Sequence, residues 1–382
     1  MPLELNCTPE LGHLRSSVRR FVRDRLEPIA LAIDATGQVP DHAIAEMRGQ
    51  GYLGMRLPPE QGGGGFDLST YCLVMEEVAR SHRVFTLMMD ASSGLTPIAI
   101  SRFGTPAQQD KYLRKLADGS WIAAFGLTEP GAGSDAAAIR TLAQPCEGGW
   151  RIHGVKHYIS GAHRAQVIMV IARTDPAKGA KGGITAFLVE RGTPGFHVDR
   201  VDKTIGSDPI ELAELRFDDC FVPHEAVLGQ VGQGFAIAMS SLTSGRMGVS
   251  SACIGTADRL LELAVEHVKV RSTFGQLLAD RQAIQWMLAD SATELAHARS
   301  LAYDTLRRID AGQDPGPATS MVKLYCSEMA GRVADRAVQI FGGAGLIRGV
   351  PVERFYRDVR HYRVGEGSSE VQRMLIARDL LK

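Results

Sequence analysis

The residues whose types invite chemistry most directly form one run in this 382-residue chain, Ala124-Phe125-Gly126-Leu127-Thr128-Glu129-Pro130-Gly131-Ala132-Gly133-Ser134-Asp135. The run follows a strand-like stretch and mixes glycines with short hydroxyl side chains. Glycine leaves the main chain uncovered, so backbone there comes close to a flat or anionic ligand. Taken alone, its Gly-x-Gly is as readily a tight turn. Metal chemistry finds no support. The six cysteines (Cys7, Cys72, Cys146, Cys220, Cys253, Cys326) are scattered, and none sits in a C-x-x-C or Cys/His ligand spacing. That spread fits reduced thiols in a cytoplasm-like compartment.

Charge narrows the partners. Lys plus Arg equals Asp plus Glu at 43 each, which leaves no excess to hold a nucleic acid or an anionic membrane across a broad surface. The start, with Glu4 and Glu10, has neither the basic nor the apolar region of a signal peptide, so a cytoplasmic protein is expected, or a mitochondrial matrix protein whose transit peptide was removed. No uninterrupted apolar run reaches the roughly 18 residues that span a bilayer.

Three textures must position the run. Residues 1–119 carry helical spacing, as in Leu14, Val18, Phe21, Val22 and Ile29, broken at Gly51, at Gly62 to Gly65 and at Gly104-Thr105-Pro106. Residues 120–231 carry short strand-like runs, Trp150 to Gly154, Val167 to Ile171 and Leu212 to Phe217, without helices alternating between them. Residues 232–382 turn helical again, with long patterns near 234–269, 277–311 and 317–341. The expectation is an α+β chain: an N-terminal helical bundle, a central β-barrel or sandwich, and a C-terminal four-helix bundle.

Three motifs carry a family resemblance. Gly126 to Asp135 resembles, residue for residue, the first signature of the acyl-CoA dehydrogenases. Gln339-Ile340-Phe341-Gly342-Gly343-Ala344-Gly345-Leu346, continuing to Glu353-Arg354 and Arg357-Asp358, resembles the second. Arg271-Ser272-Thr273-Phe274-Gly275 followed by Gln282-Ala283-Ile284 is similar to the family's contact with the FAD diphosphate. The likeness runs nearly end to end in the family's order, which makes coincidence of single motifs a poor account. It implies FAD between the β domain and the C-terminal bundle, with Phe125, Leu127, Thr128, Gly133, Ser134, Tyr158 and Ser160 on one side. Arg271, Thr273, Gln282, Gln339, Gly342 and Gly343 would reach FAD partly across a subunit boundary, in a homotetramer or dimer. Tyr158 stands where the family more often has Trp, and a phenol still stacks on a flavin.

The resemblance also assigns the base. Arg363-Val364-Gly365-Glu366-Gly367-Ser368-Ser369-Glu370 looks like the segment whose first Glu removes the substrate α-proton, with Ser368 and Glu370 near FAD. A carboxylate in an apolar pocket has its pKa raised toward the working pH, which suits the task. One subgroup carries its base at the position of Gly245, which has no carboxylate here. Ser134, Thr243, Arg246 and Gly367 fall at acyl-CoA contact positions, although Thr243 replaces the usual acidic residue and Gly206 to Pro209 departs from the usual Gly-x-Arg. Gly365 replaces a bulky aromatic, from which a branched or wide acyl group is expected. The implied reaction is α,β-dehydrogenation of an acyl-CoA to a trans-2-enoyl-CoA, with electrons passing to an electron-transferring flavoprotein. The rivals are an oxidase, monooxygenase or enoyl-CoA reductase on the same scaffold, and a non-catalytic helical scaffold.

Overall fold

Capping residues set the helix starts. In a computed structural model that describes residues 8–206, 209 and 211–382, Thr8 caps Pro9–Phe21 (α1), which is followed by Ala30–Thr36 (α2) and Asp41–Gly49 (α3). Asp67 accepts the Thr70 N–H to start Leu68–Val78 (α4), and Arg83–Ser93 (α5) and Leu95–Phe103 (α6) follow. Thr105 and Gln108 form a reciprocal capping box on Pro106–Ala117 (α7), where Pro106 costs nothing because its amide would lack a partner anyway. Cys7 and two residues of the 206–209 departure, Ser207 and Asp208, lie outside the described residues. The stretch Arg83–Phe103 is long and apolar enough to cross a bilayer by length and composition, but Asp90 interrupts it, it breaks at Gly94, and two thirds of its most apolar window is buried inside the protein.

The middle of the chain forms one mixed eight-stranded sheet. Its strands are Ala123–Gly126 (β1), Leu142–Cys146 (β2), Gly149–Ser160 (β3), Val167–Arg173 (β4), Ile184–Glu190 (β5), Phe196–Asp202 (β6), Leu212–Pro223 (β7) and Val227–Leu228 (β8), with a single turn at Ala180–Gly183 (α8). The order is β6-β7-β3-β2-β4-β5-β8, and β1 adds to β4 in parallel, Phe125 opposite Met169. The β4 run is apolar throughout because both of its faces are covered. Val167, Met169 and Ile171 join the core made with the helices, while Ile168, Val170 and Ala172 pack with Trp150 and Phe217 on the other face.

The C-terminal bundle comprises Gly234–Val270 (α9), Gln282–Asp310 (α10), Ala318–Phe341 (α11), Pro351–Tyr362 (α12) and Ser369–Leu380 (α13). The second helix starts at Gln282 instead of near 277. A small hairpin, Ser272–Thr273 (β9) and Gln276–Leu277 (β10), turns through Phe274 and Gly275 at φ 50° and 75°. The N-terminal helices share one apolar core with this bundle. Where α4 crosses α9 the approach requires Gly255, because a methyl there would lie 1.7 Å from the Glu76 carbonyl oxygen.

Candidate active site

A register shift in β3 builds one wall of the site. Pairing with β7 slips between Lys156 and Ile159, so the strand bulges at His157 and Tyr158. A bulge lifts a side chain out of the ladder and aims it elsewhere. Tyr158 adopts φ 58°, stays 57% exposed and stacks on His157 at 3.8 Å. The bulge is stitched to the glycine-rich run: the His157 N–H donates to the Thr128 carbonyl at 2.8 Å, and buried Lys156 Nζ donates to the Leu127 carbonyl at 3.0 Å and to Glu129 Oε1 at 2.7 Å. Burial pulls Lys156 down to about 8 against the pull of Glu129. Burial alone would raise Glu129, but Lys156 and the amides of Thr141 and Arg140 hold it below the ordinary carboxylate range. Phe125, Thr128 and Tyr158 thus share a fixed shelf of backbone and aromatic surface. A flat isoalloxazine-type ring fits it, because an aromatic held out of its sheet at positive φ leaves a π-face to cover.

Glu366 lies on the loop between α12 and α13 at φ 55°, followed by Gly367 at 89°. A non-glycine residue rarely adopts such a conformation unless its surroundings impose it. Here a set of donors does so. Gln372 Nε2 reaches the carbonyls of Glu366 (3.2 Å) and Gly367 (2.9 Å), Lys323 Nζ reaches Gly367 O at 2.7 Å, and Arg246 Nε reaches Glu366 O at 3.4 Å. The loop is therefore held by its own carbonyls. Among the described residues the carboxylate takes part in no hydrogen bond: Glu366 Oε2 is buried without a partner there, and the carboxylate presses on Gly245, where a methyl would fall 2.3 Å from Oε2. Burial, and then repulsion from Asp90, push Glu366 up to about 8 against the attraction of Arg246 and Lys323. Desolvation of this kind makes a carboxylate a base that is competent near neutral pH.

Among the expected site residues, Gly133, Ser134 and Ser160 are exposed beside the shelf, and Leu127 is buried within it. Arg246 and Gly367 lie against the base loop, with Arg246 Nη2 3.7 Å from where a Gly367 side chain would begin. Thr243 lines an adjoining cavity, and its hydroxyl donates back to the Met239 carbonyl at 3.3 Å. Ser368 caps α13 and Glu370 is exposed in its first turn. Arg271, Gln282, Gln339, Gly342 and Gly343 are exposed and Thr273 is half-buried, all at one end of α9, α10 and α11. The room expected beside Gly365 is taken: a side chain leaving Gly365 meets His361 Nε2 at 2.7 Å. The sequence reading missed Lys323, a lysine in the apolar helical pattern of α11, and Asp90, an acid in the apolar run of α5.

Three family profiles match in succession: "Acyl-CoA dehydrogenase, N-terminal domain" over residues 8–120, "middle domain" over 124–220 and "C-terminal domain" over 232–381. The acryloyl-CoA reductase (NADH) of Anaerotignum propionicum is 38% identical over 384 residues, covering 100% of this chain and 96% of that protein. The Megasphaera elsdenii butyryl-CoA dehydrogenase structure is 35% identical with a TM-score of 0.94, covering 100% of both chains. A chain from work on the electron transferring flavoprotein of Acidaminococcus fermentans and flavin-based electron bifurcation matches equally well, at 35% identity, TM-score 0.94 and 100% of both chains. Bulge, buried carboxylate and end-to-end likeness agree, and the chain belongs to the acyl-CoA dehydrogenase family, flavoprotein oxidoreductases that act on a CH–CH group with FAD as cofactor.

Proposed function

We propose that this enzyme desaturates an acyl-CoA thioester between its α and β carbons, with Glu366 as the base. The observation that carries this reading is Glu366 Oε2, buried and unpartnered among the described residues, on a loop fixed through the carbonyls of Glu366 and Gly367. FAD, when bound, would supply the acceptor for the β-hydrogen as hydride. The protein does the rest by position and electrostatics. Phe125, Leu127, Thr128 and Tyr158 seat the flavin ring. The Glu366 N–H, which donates to no group among the described residues, is left to meet the thioester oxygen and would stabilise the enolate as it develops. Glu366 then takes the α-proton. Arg246 and Ser134 hold the CoA portion, and Thr243 contributes a weaker contact than a carboxylate would.

The cofactor site is completed by a second subunit. Arg271, Thr273, Gln282 and the 339–343 loop stand at an end of the bundle that exposes Val270, Phe274, Trp286 and Ile347, an apolar patch suited to a neighbouring copy. An electron-transferring flavoprotein is the proposed electron acceptor, in keeping with the Acidaminococcus neighbour. A second reading, enoyl-CoA reduction on the same residues, is favoured by the acryloyl-CoA reductase relative, and a carboxyl that titrates near 8 can return a proton as well as remove one. The test is anaerobic titration of the flavoprotein with straight and branched acyl-CoAs, following loss of flavin absorbance. Glu366→Gln should retain FAD and slow bleaching by about 10²- to 10⁴-fold. Bleaching at the normal rate removes Glu366 from the reaction.

A further inference from the structure

Tyr158 needs a backing that the sheet does not give it. Opposite Glu214 of β7 the bulge sets two residues of β3, His157 and Tyr158, between the pairs Lys156 with Leu215 and Ile159 with Ala213. Two residues against one leave both without ladder partners. A phenol lifted out of a sheet rotates about its side-chain bonds, and a ligand that stacks on it must first stop that motion. Here the ring is already held from behind. The His157 imidazole lies against it, centroids 3.8 Å apart and planes inclined by 15°. One face of the phenol is thereby covered and the opposite face stays open, so that Tyr158 remains 57% exposed.

His157 is itself pinned at both ends. Its main-chain N–H donates to the Thr128 carbonyl at 2.8 Å, which ties it to the glycine-rich run. Its Nε2 accepts from Arg200 Nη2 at 2.8 Å, a direction set by the guanidinium, which can only donate. Arg200 comes from β6, two strands away in the order β6-β7-β3, and stands opposite Glu214 in the pairing with β7. Asp202 Oδ1 holds its Nε at 2.9 Å, and Glu214 Oε2 lies 3.6 Å from its Nη2, so the fork has a fixed seat. The same two side chains stand 3.8 and 3.5 Å from His157 Nε2. The order from β6 outward is therefore guanidinium, imidazole, phenol, open face. Stabilising the sheet accounts for the ion pairs of Arg200, but it asks nothing of a parallel stack whose outer ring faces away from the core.

We propose that His157, held by Arg200, is a positioning residue for the flavin: it sets the Tyr158 ring in the plane on which the isoalloxazine stacks. This inference rests on the flavin placement proposed above and adds to it two residues that act through Tyr158. A ring fixed before the cofactor arrives loses less freedom on binding than one that is not.

Flavin emission and FAD release test it on the FAD-loaded enzyme. A phenol in stacking contact with an isoalloxazine quenches its emission by donating an electron to the excited ring, so emission reports the set of Tyr158 and not merely the fold. His157→Leu removes the stack and should brighten the bound flavin and speed FAD release by about three- to tenfold, the scale of one aromatic pair. His157→Phe restores a flat neighbour and should recover most of that loss. Arg200→Ala alters a half-exposed side chain and should move both readouts the same way by a smaller factor. In a Tyr158→Leu background, His157→Leu should add nothing. Emission and release unchanged in either His157→Leu or Arg200→Ala, or an effect of His157→Leu that persists undiminished without the phenol, overturns the inference. If Tyr158→Leu alone leaves emission and FAD release as in the wild type, the ring does not meet the flavin, and the placement proposed above falls before this inference does.

Discussion

The loop around Glu366 and the exposed end around Arg271 differ in almost every physical respect, although the same sequence resemblance points to both. The carbonyls of Glu366 and Gly367 in the base loop are met by donors from the same chain: Lys323, Gln372 and Arg246. At the other end Arg271 is exposed, and Phe274, at the tip of its hairpin, is 98% exposed. On the proposed reading a protomer holds its base in place by itself, whereas the residues proposed for the FAD diphosphate stay exposed until a second subunit covers them.

The largest effect that would break this contrast lies at Gly245. Gly245→Ala places a methyl 2.3 Å from Glu366 Oε2, and the carboxylate must move. Displacement of a reacting group by about 1 Å costs on the order of 10²-fold, so kcat should fall by that much while FAD content and subunit assembly stay unchanged. A variant with normal turnover would show that the base is not as tightly held as described.

The pH profile sharpens the same point. As the proposed base, Glu366 acts in its carboxylate form, and burial raises its pKa to about 8. Below that value kcat/KM should fall by about tenfold per pH unit, and above it the profile should level off. Asp90→Asn removes a like charge while Arg246 and Lys323 remain, so the inflection should move to lower pH. The linked effect on stability has a definite sign. Because the folded pKa lies above the ordinary 4.5, the folded protein holds the proton more tightly, and stability declines as pH rises through about 8. Glu366→Gln should lack that decline, which thermal melts at several pH values would reveal.

The smallest expected effect belongs to the exposed end. Arg271→Ala should leave the rate of reduction of bound flavin unchanged but release FAD about tenfold faster, the scale of a lost charge-assisted hydrogen bond. The loss should deepen on dilution as subunits separate. Equal FAD retention in variant and wild type at every protein concentration would remove Arg271 from the cofactor site.

What could be read from the sequence was what the backbone itself demands. The 124–135 run and the glycines around Glu366 stand out because close approach and positive φ restrict residue choice. The three textures were legible because helical and strand periods differ, and the order of helices, sheet and helices follows from them. The helical pattern expected from near 277 took in the end of the β9–β10 hairpin and the turn after it, so α10 starts later, at Gln282. The groups that surround the base were less legible: Asp90 on α5 and Lys323 on α11 belong to separate segments, and only packing brings them to the Glu366 that the sequence did single out. Gly365 shows the reverse error, because an absent side chain reads as space until the neighbour that fills it is known.

The slipped register in β3 has an evolutionary side. Because Tyr158 stands outside the ladder while Ile159 returns to the core at 3% exposure, the sheet places little demand on the residue at 158. Planar side chains can replace one another there without disturbing the neighbouring strands. If the flavin ring lies against Tyr158 as proposed, its electron affinity is open to selection separately from foldability.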